Sequence, residues 1–379
     1  MANTIKIGIL IPKSRQYPTL DRDFMRGLKL NNLNVKFFVE SIGIGADEKM
    51  IIEKIQKLNF QEDVSIIIGF FGHHNIAEVY NYASNNDILL LAAEIGATMP
   101  YETQTYKGVY INSFGLAESC YHLGNYLKTK NYQKIVSSTS FYDSGYGMLS
   151  AIEYGFKEKN LFSGHYITPF VPRENESAHM DQFINTHEPD AVFAFYSGLY
   201  SEENANFVNQ NKITQKYPFY VTPFFINDTI LQEYKNTQYE LYVVSSWMQN
   251  DTDTTNFTNE YKDKYSENPS LFSILGYENG LILKNILLNT DNNLQINSLI
   301  EEIKKLEIAG PRGNIEFDKD TNTTLFNHHI YQLNFDSANS NINFKKIQTF
   351  VNDGHFTKAI TSFTKPDQVG GWQNAYLCH

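Results

Sequence analysis

Two pairs of adjacent histidines are the first residues whose type suggests metal binding or acid–base chemistry: His73 with His74, and His328 with His329. Neighbouring side chains point in different directions, so either pair is a poor set of ligands for one metal ion. The spacing therefore favours neither a metal site nor a bound cofactor. Gly72 and His73 do follow the apolar run 66–71, which is typical of a buried strand. Ligands of open α/β sheets bind at the carboxyl ends of such strands.

A second loop of this kind begins at Glu94, directly after the apolar run 89–93. It continues through Gly96 and Thr98, so free backbone N–H groups, a hydroxyl and a carboxylate come together at one strand end. An ordinary turn with a surface glutamate is the alternative interpretation. Two consecutive strands that end in small polar loops favour a shared ligand site at the rim of the sheet.

Residues 142–147 (Tyr-Asp-Ser-Gly-Tyr-Gly) form a third candidate loop, because they follow an apolar stretch and precede a predicted helix. Asp143 or Ser144 could cap that helix, and capping is compatible with ligand contact. Trp247 also follows a predicted strand. We interpret it as a core residue, and its position after a strand is also compatible with a place in the ligand pocket. The sequence lacks the phosphate-loop, dinucleotide-binding, zinc-protease and nucleophile-elbow motifs. No catalytic residue is therefore predicted.

The composition narrows the classes of partner. With 42 acidic and 31 basic residues the formal charge is −11, which argues against a nucleic-acid backbone or an anionic membrane surface as partner. The sequence contains no run of about 18 apolar residues, so it predicts no membrane-spanning helix. At 379 residues the chain is long enough for two domains that need no disulfide framework. Its two cysteines, Cys120 and Cys378, are far apart and leave the redox compartment open.

The start of the chain bears on location. Residues 1–4 run directly into an apolar, strand-like stretch without a secretory signal pattern. Either a signal has been removed, which predicts a protein of the periplasm or cell envelope, or the protein is cytoplasmic.

Short β-branched runs alternate with segments of helical periodicity, which predicts βαβ units and mainly parallel sheets. The predicted strands lie at 5–11, 35–39, 65–69, 88–92, 109–113, 134–139, 165–168, 191–196, 219–222 and 241–245. The clearest amphipathic helices are predicted at 47–60 and 272–288. Two blocks of strands predict two doubly wound lobes with a boundary near 114–119.

The last third of the chain changes character. Residues 310–318 and 329–350 predict antiparallel strands, with a turn near 336–341. Residues 351–379 show no clear period, and we expect them to follow a fixed but irregular path over the surface.

Six short segments, taken in order, resemble the type I periplasmic binding protein family, in particular its branch that binds branched-chain amino acids and amides. They are residues 5–10, 68–69, 94–100, 143–147, 275–278 and 310–318. Residues 94–100 (Glu-Ile-Gly-Ala-Thr-Met-Pro) are similar to the family's SPGATNP segment. Residues 310–318 (Gly-Pro-Arg-Gly-Asn-Ile-Glu-Phe-Asp) are similar to its closing G.TG.I.FD pattern. The resemblance covers nearly the whole chain, from Ile5 to about Phe350.

The resemblance implies an α/β fold of two Rossmann-like, doubly wound lobes, joined by three hinge crossovers and closing on a ligand between them. We expect lobe 1 to comprise 1–116 and 250–325 and lobe 2 to comprise 117–249 and 326–350. Residues 351–379 are expected to form an irregular C-terminal tail.

The resemblance also implies a set of ligand-binding residues. Tyr17 corresponds to an aromatic residue of the first loop, Tyr146 to a stacking tyrosine of the second lobe and Tyr277 to an aromatic that lines the cleft. Gly96 and Thr98 correspond to positions that supply backbone and hydroxyl contacts. The full set is Tyr17, Gly72, His73, Glu94, Gly96, Thr98, Tyr146, Phe224 and Tyr277.

Two positions depart from the family's pattern. Phe224 stands where amino-acid binders place an acidic residue, so an ammonium group lacks its usual partner unless Glu94 or Asp143 supplies one. His73 stands where a hydroxyl residue often holds the carboxylate of the ligand. This substitution predicts altered recognition of an anion or an amide.

We therefore expect a receptor that captures a small polar molecule (an amino acid, an amide or a small organic acid) in the interlobe cleft. It would deliver this molecule to the membrane subunits of an ABC transporter and do no chemistry on it. A cytoplasmic ligand sensor, similar to the family's amide-responsive regulators, is the alternative. In both cases the ligand stabilises the closed state through contacts to both lobes.

Overall fold

The computed structural model describes most of the chain, in twelve parts that are residues 4–45, 47–71, 76–99, 104–157, 161–211, 216–237, 240–249, 255–290, 293–336, 341–361, 372 and 375–378. Within these residues the chain forms two main β-sheets and one short hairpin. The part built on the first sheet is called the first lobe below, and the part built on the second sheet is called the second lobe.

The first sheet is parallel throughout, with the spatial order β2-β1-β3-β4-β5. Its strands are β1 (Ile5–Ile11), β2 (Val35–Ser41), β3 (Ile66–Phe71), β4 (Leu89–Glu94) and β5 (Val109–Ser113). The central strand β3 reads Ile-Ile-Ile-Gly-Phe-Phe, and all its residues are buried. Such continuous burial is expected of a parallel strand that is covered on both faces. Ile9 packs into the apolar cluster on one face, and Leu10 packs into the cluster on the other.

Six helices in the described ranges accompany the first sheet: α1 (Leu20–Leu30), α2 (Glu48–Glu62), α3 (Ala77–Asn85), α9 (Thr255–Tyr265), α10 (Leu271–Asn289) and α11 (Ile296–Ile303). Asp47 caps α2, because its side chain accepts hydrogen bonds from the N–H groups of Lys49 and Met50 at 3.0 and 3.2 Å. In the described part of the chain, α10 alone is long and apolar enough to cross a membrane. However, 67% of its most apolar window is buried inside the fold, which is typical of a core helix.

The second sheet has the order β14-β13-β10-β9-β8-β6-β7. The strands from β10 to β7 pair in parallel, whereas β13 and β14 pair antiparallel at one edge. The strands are β6 (Ile135–Ser140), β7 (Phe162–Thr168), β8 (Ala191–Phe195), β9 (Phe219–Val221), β10 (Leu241–Ser245), β13 (His328–Asp336) and β14 (Asn341–Phe350). The accompanying helices are α4 (Leu116–Thr129), α5 (Met148–Phe156), α6 (Glu176–His187), α7 (Gly198–Asn211) and α8 (Asp228–Thr237).

The predicted elements are confirmed with small shifts at their ends. Every predicted parallel strand overlaps an observed one, and the two predicted helices correspond to α2 and α10. The antiparallel prediction is confirmed by the hairpin of β11 (Ile308–Gly310) with β12 (Gly313–Ile315) and by the pairing of β13 with β14.

The expected irregular surface path of the tail is wrong in two respects. Residues His355–Thr361 form a helix, α12, because Phe356 and Ile360 lie four residues apart and bury one helical face. Further on, residues 375–378 are fully buried rather than lying on the surface. These four residues provide an aromatic ring, aliphatic groups and a thiol, whose burial removes apolar area from water.

The chain passes between the two sheets after β5, after β10 and before β13, and a buried ion pair joins these three passages. In this pair Arg312 donates to Glu278 through Nη2 at 2.6 Å and through Nε at 2.9 Å. Nη1 of Arg312 also donates to the carbonyl of Ser113 at 2.9 Å and to Oγ of Ser246 at 3.2 Å. The ring centroid of Phe326 lies 3.9 Å from the guanidinium carbon. These five residues are called the crossover junction.

Candidate functional site

Loops at the carboxyl ends of strands in the two lobes contact each other. The N–H of Gly198, after β8, donates to Oη of Tyr17, after β1, at 2.9 Å. The N–H of Leu199 donates to Oε1 of Gln16, also at 2.9 Å. Gly198 has a φ of +52°, a conformation that favours glycine, and a Cβ there would lie 2.3 Å from Oε1 of Gln16 and so displace that side chain. The space between these loops is called the interlobe cleft.

Asp143 is the fully buried carboxylate of this cleft, and it follows β6. Its Oδ2 accepts hydrogen bonds from Oγ of Ser140 at 2.6 Å and from the N–H of Ser197 at 3.0 Å. Its Oδ1 accepts from Oγ of Ser197 and from Oη of Tyr376, both at 2.8 Å. Burial raises the pKa of Asp143 to about 6, although these hydrogen bonds act to lower it. The carboxylate is therefore stabilised by neutral donors.

Aromatic rings surround the phenol that reaches Asp143. The ring centroid of Tyr376 lies 4.6 Å from that of Tyr146, 5.6 Å from that of Phe224 and 5.8 Å from that of Phe195. Oη of Tyr146 lies 2.8 Å from Oη of Tyr142. An aromatic group with a hydrogen-bond donor thus has both apolar and polar partners here.

Three of the residues predicted from the sequence come together around this point. Tyr146 and Phe224 pack against Tyr376, and Tyr17 packs edge-on against Phe224 with 6.0 Å between ring centroids. Phe224 is buried, as is Tyr146. An aromatic wall built from both lobes is the result.

The predicted residues after β4 lie beside the first passage between the lobes. The carboxyl group of Glu94 is hydrogen-bonded to the side chain of Ser113, and burial raises its pKa. Gly96 has a φ of +72°, and a Cβ there would lie 2.5 Å from Oγ of Ser113. Thr98 is half-buried and precedes Met99, which packs against Gly147 of the second lobe. Ligand contact by Glu94, Gly96 and Thr98 stays a prediction.

The remaining predicted residues lie elsewhere or outside the described residues. Tyr277 lies on α10, and its ring packs against Phe257 of α9 with 4.8 Å between centroids. Gly72 and His73 fall outside the described residues. For these residues, too, ligand contact stays a prediction.

The sequence suggests two roles for Asp143, a cap of the following helix or a contact to the ligand, but the predicted ligand-binding set does not include it. The capping interpretation is wrong, because α5 begins without a side-chain cap. Asp143 turns back toward Ser140 and across to Ser197 instead. The signal that could have found this cluster is the polar residue after each of β6 and β8, which are neighbours in the sheet.

Three buried polar atoms near the carboxyl edge of the second sheet have no hydrogen-bond partner within the described part of the chain. They are Oγ1 of Thr139, Oγ1 of Thr222 and Nε1 of Trp247. An unsatisfied buried polar group costs about 1–3 kcal/mol. Groups of a bound solute that met these atoms would remove that cost. Trp247 itself is buried, at 2% exposure.

No group of three or more His, Cys, Asp or Glu side chains in the described ranges is arranged to hold a metal ion. His328 and His329 turn to different neighbours. Nε2 of His328 lies 3.1 Å from a carboxyl oxygen of Glu118, whereas Nδ1 of His329 lies 3.0 Å from Oγ1 of Thr349. The two rings therefore do not converge on one point.

Residues 4–340 match the family model of the periplasmic binding proteins. The chain belongs to the periplasmic binding protein family. This confirms the predicted family, and the two sheets confirm the α/β fold with two doubly wound lobes. As a periplasmic binding protein, the chain is a receptor for a small solute. No curated protein sequence matches it.

Solved structures of ABC transporter binding proteins share this fold. The substrate-binding protein from Sphaerobacter thermophilus has a TM-score of 0.77 at 16% identity, covering 92% of this chain and 98% of its own. A solute-binding protein from R. palustris in complex with 4-hydroxybenzoate has a TM-score of 0.72 at 15% identity, covering 92% and 98%. The branched-chain amino acid binding protein from Streptococcus pneumoniae in complex with isoleucine has a TM-score of 0.64 at 18% identity, covering 91% and 99%.

Proposed function

We propose that this periplasmic binding protein captures a small aromatic solute that carries a hydroxyl group and delivers it to the membrane subunits of an ABC transporter in the cell envelope. The observation that carries the proposal is the phenol already seated in the cleft. Oη of Tyr376 donates to the buried carboxylate of Asp143 at 2.8 Å, inside a wall of aromatic rings. A free phenolic solute makes the same hydrogen bond and the same ring contacts.

The surroundings of Asp143 favour a phenol over an aliphatic amino acid. The edge-on rings of Tyr146 and Phe224 match an aromatic face, and such ring pairs contribute about 0.5–1.5 kcal/mol beyond the area they bury. Phe224 also stands where amino-acid binders place an acidic residue. Edge-on aromatic contacts and one charge-assisted hydrogen bond therefore supply the specificity.

A solved structure of this fold holds a solute of the same class. The R. palustris protein of this fold was solved with 4-hydroxybenzoate, which carries a phenol at one end and a carboxylate at the other.

Isothermal titration calorimetry with 4-hydroxybenzoate, benzoate, leucine and isoleucine tests the proposal. A hydrogen bond to a buried charged group contributes about 1.5–3 kcal/mol. We therefore expect 4-hydroxybenzoate to bind roughly 10 to 100 times more tightly than benzoate. Asp143→Asn should abolish this preference. Asp87→Asn, at an exposed ion pair with Lys107, is the matched control and should preserve it.

Tighter binding of leucine or isoleucine than of every aromatic acid would contradict the proposed solute class. An unchanged preference in Asp143→Asn would show that the phenol-binding group lies elsewhere.

A further inference from the structure

Residues 375–378 are buried without belonging to any helix or strand. Ala375, Leu377 and Cys378 are 0% exposed and Tyr376 is 1% exposed. A segment of this kind needs partners for its backbone groups, because unpaired buried N–H and C=O groups are costly. The partners that it finds belong to the interlobe cleft.

Backbone groups of the segment bind both lobes. The N–H of Ala375 donates to the carbonyl of Ile44 in the first lobe at 3.3 Å. The carbonyl of Leu377 accepts a hydrogen bond from Oγ of Ser14, also in the first lobe. The N–H of Leu377 donates to Oη of Tyr142 in the second lobe at 2.9 Å. The segment therefore connects the lobes in the way that a cleft-bound ligand does.

The side chain of Tyr376 occupies the centre of the site. It fills the space between Tyr146, Phe224 and Phe195 and provides one of the four hydrogen bonds to Asp143. These are the groups to which the proposed function assigns the solute. A solute and Tyr376 cannot occupy this space together.

Trp372 covers the segment from the outer side. Its Nε1 donates to the carbonyl of Tyr142 at 2.7 Å, and its N–H donates to the carbonyl of Gly145 at 3.3 Å. Its ring stacks on Tyr142 with 6.2 Å between centroids and meets Phe141 edge-on. Trp372 itself is only half-buried, so this contact lies at the surface end of the path.

We propose that residues 375–378 are a tethered occupant of the solute site, which holds the two lobes closed until a solute displaces it. A tethered group acts at an effective concentration of roughly millimolar. The apparent Kd for a free solute equals its intrinsic Kd divided by the fraction of molecules whose site is open, so the affinity is lower when the segment occupies the site more often. The segment thereby sets the solute concentration at which the receptor fills. The inference rests on the proposed function for the identity of the competing solute.

Cys378 provides a reporter within the full-length protein. It is a buried cysteine of the segment, and burial raises its thiol pKa to about 12. The other cysteine, Cys120, is buried in α4 of the second lobe. Alkylation by iodoacetamide is followed at each cysteine by mass spectrometry. The alkylation rate of Cys378 then measures release of the segment, and the rate of Cys120 measures opening of the second lobe.

We expect Cys378 of the native protein to react at least a hundred times more slowly than in urea-unfolded protein. Tyr376→Ala should accelerate alkylation of Cys378 at least tenfold and leave the rate at Cys120 unchanged. Tyr376→Phe keeps the ring and loses the hydrogen bond to Asp143, so we expect an intermediate rate. Tyr376→Ala should also lower the apparent Kd for 4-hydroxybenzoate at least tenfold.

Two results would overturn the inference. Native Cys378 that reacts as fast as in unfolded protein would mean that the segment does not occupy the cleft. Cys378 that becomes reactive only together with Cys120, in wild type and in Tyr376→Ala, would mean that the segment is a permanent part of the core.

Addition of saturating 4-hydroxybenzoate to the wild type separates this inference from the proposed function. Faster alkylation of Cys378 at an unchanged Cys120 rate supports both. The alternative result is that Cys378 is alkylated faster in Tyr376→Ala, but its rate does not respond to 4-hydroxybenzoate, benzoate, leucine or isoleucine. This result supports the tethered segment and contradicts the proposed solute class.

Discussion

Two fully buried carboxylates, Glu278 in the crossover junction and Asp143 in the interlobe cleft, are stabilised in different ways. Glu278 pairs with Arg312, whose side chain is also fully buried, and accepts a further hydrogen bond from Asn112 at 3.1 Å. Among the described residues Asp143 has four neutral donors, and one of them, Tyr376, lies 233 residues away along the chain.

The difference shows which carboxylate can change its partners. A buried charge that loses its counter-ion faces a large desolvation cost, so the partners of Glu278 must stay in place. A carboxylate with several neutral donors can exchange one donor for a similar one at a lower cost. Asp143 therefore suits a site that alternates between a tethered phenol and a free one, and Glu278 suits a junction through which all three passages run.

The largest expected effect breaks the junction. Arg312→Met leaves Glu278 buried without a counter-ion, and we expect the free energy of unfolding to fall by about 3–5 kcal/mol. Urea denaturation followed by circular dichroism measures the change. Lys107→Met is the matched control, because Lys107 forms an exposed ion pair with Asp87 that contributes about 0–1 kcal/mol. Equal losses in the two variants would remove the distinction between Glu278 and an ordinary surface carboxylate.

A smaller effect concerns the pH dependence of stability at Asp143. Burial raises its pKa from 3.8 to about 6, so between these values the native state binds more protons than the unfolded state. The stability that this group contributes is present below its unfolded pKa and is lost as the pH rises through about 6. We expect a loss on the order of 1–3 kcal/mol.

Urea titrations of wild type and Asp143→Asn between pH 4 and 7 isolate this contribution. Glu118, whose pKa burial raises to about 7, and His122, whose pKa burial lowers to about 4, titrate in both proteins and cancel in the difference. Parallel pH profiles for the two proteins would show that the Asp143 carboxylate is not destabilised by its burial.

The smallest expected effect sharpens the role of contacts between the lobes. Tyr17→Phe removes the acceptor for the N–H of Gly198 and keeps the ring that packs against Phe224. A typical hydrogen bond contributes about 0.5–1.5 kcal/mol, so affinity for 4-hydroxybenzoate should fall roughly two- to tenfold. Calorimetric titration measures the loss. The same change at Tyr277, whose ring packs against Phe257, should cost less, and a larger loss there would place Tyr277 rather than Tyr17 at the solute.

The sequence by itself determined the two-lobed plan and the secondary structure apart from the C-terminal helix α12, because both depend on local patterns. The uninterrupted apolar run 66–71 predicts a strand buried on both faces, and β3 is such a strand. The pattern of an apolar run followed by a polar loop also selected the loop that carries Tyr146, and the family resemblance added Tyr17. The fold brings these two residues to one cleft.

Only the tertiary structure decided which residues meet in that cleft. Asp143 and Ser197 are 54 residues apart, and they meet because β6 and β8 are neighbours in the sheet. Strand order is set by packing over the whole lobe, so no local pattern contains it. Residues 375–378 are too few to show a periodicity, and their place in the cleft depends on donors and rings supplied by both lobes. A short segment that takes its hydrogen bonds from distant residues carries no signal of its location in its own sequence.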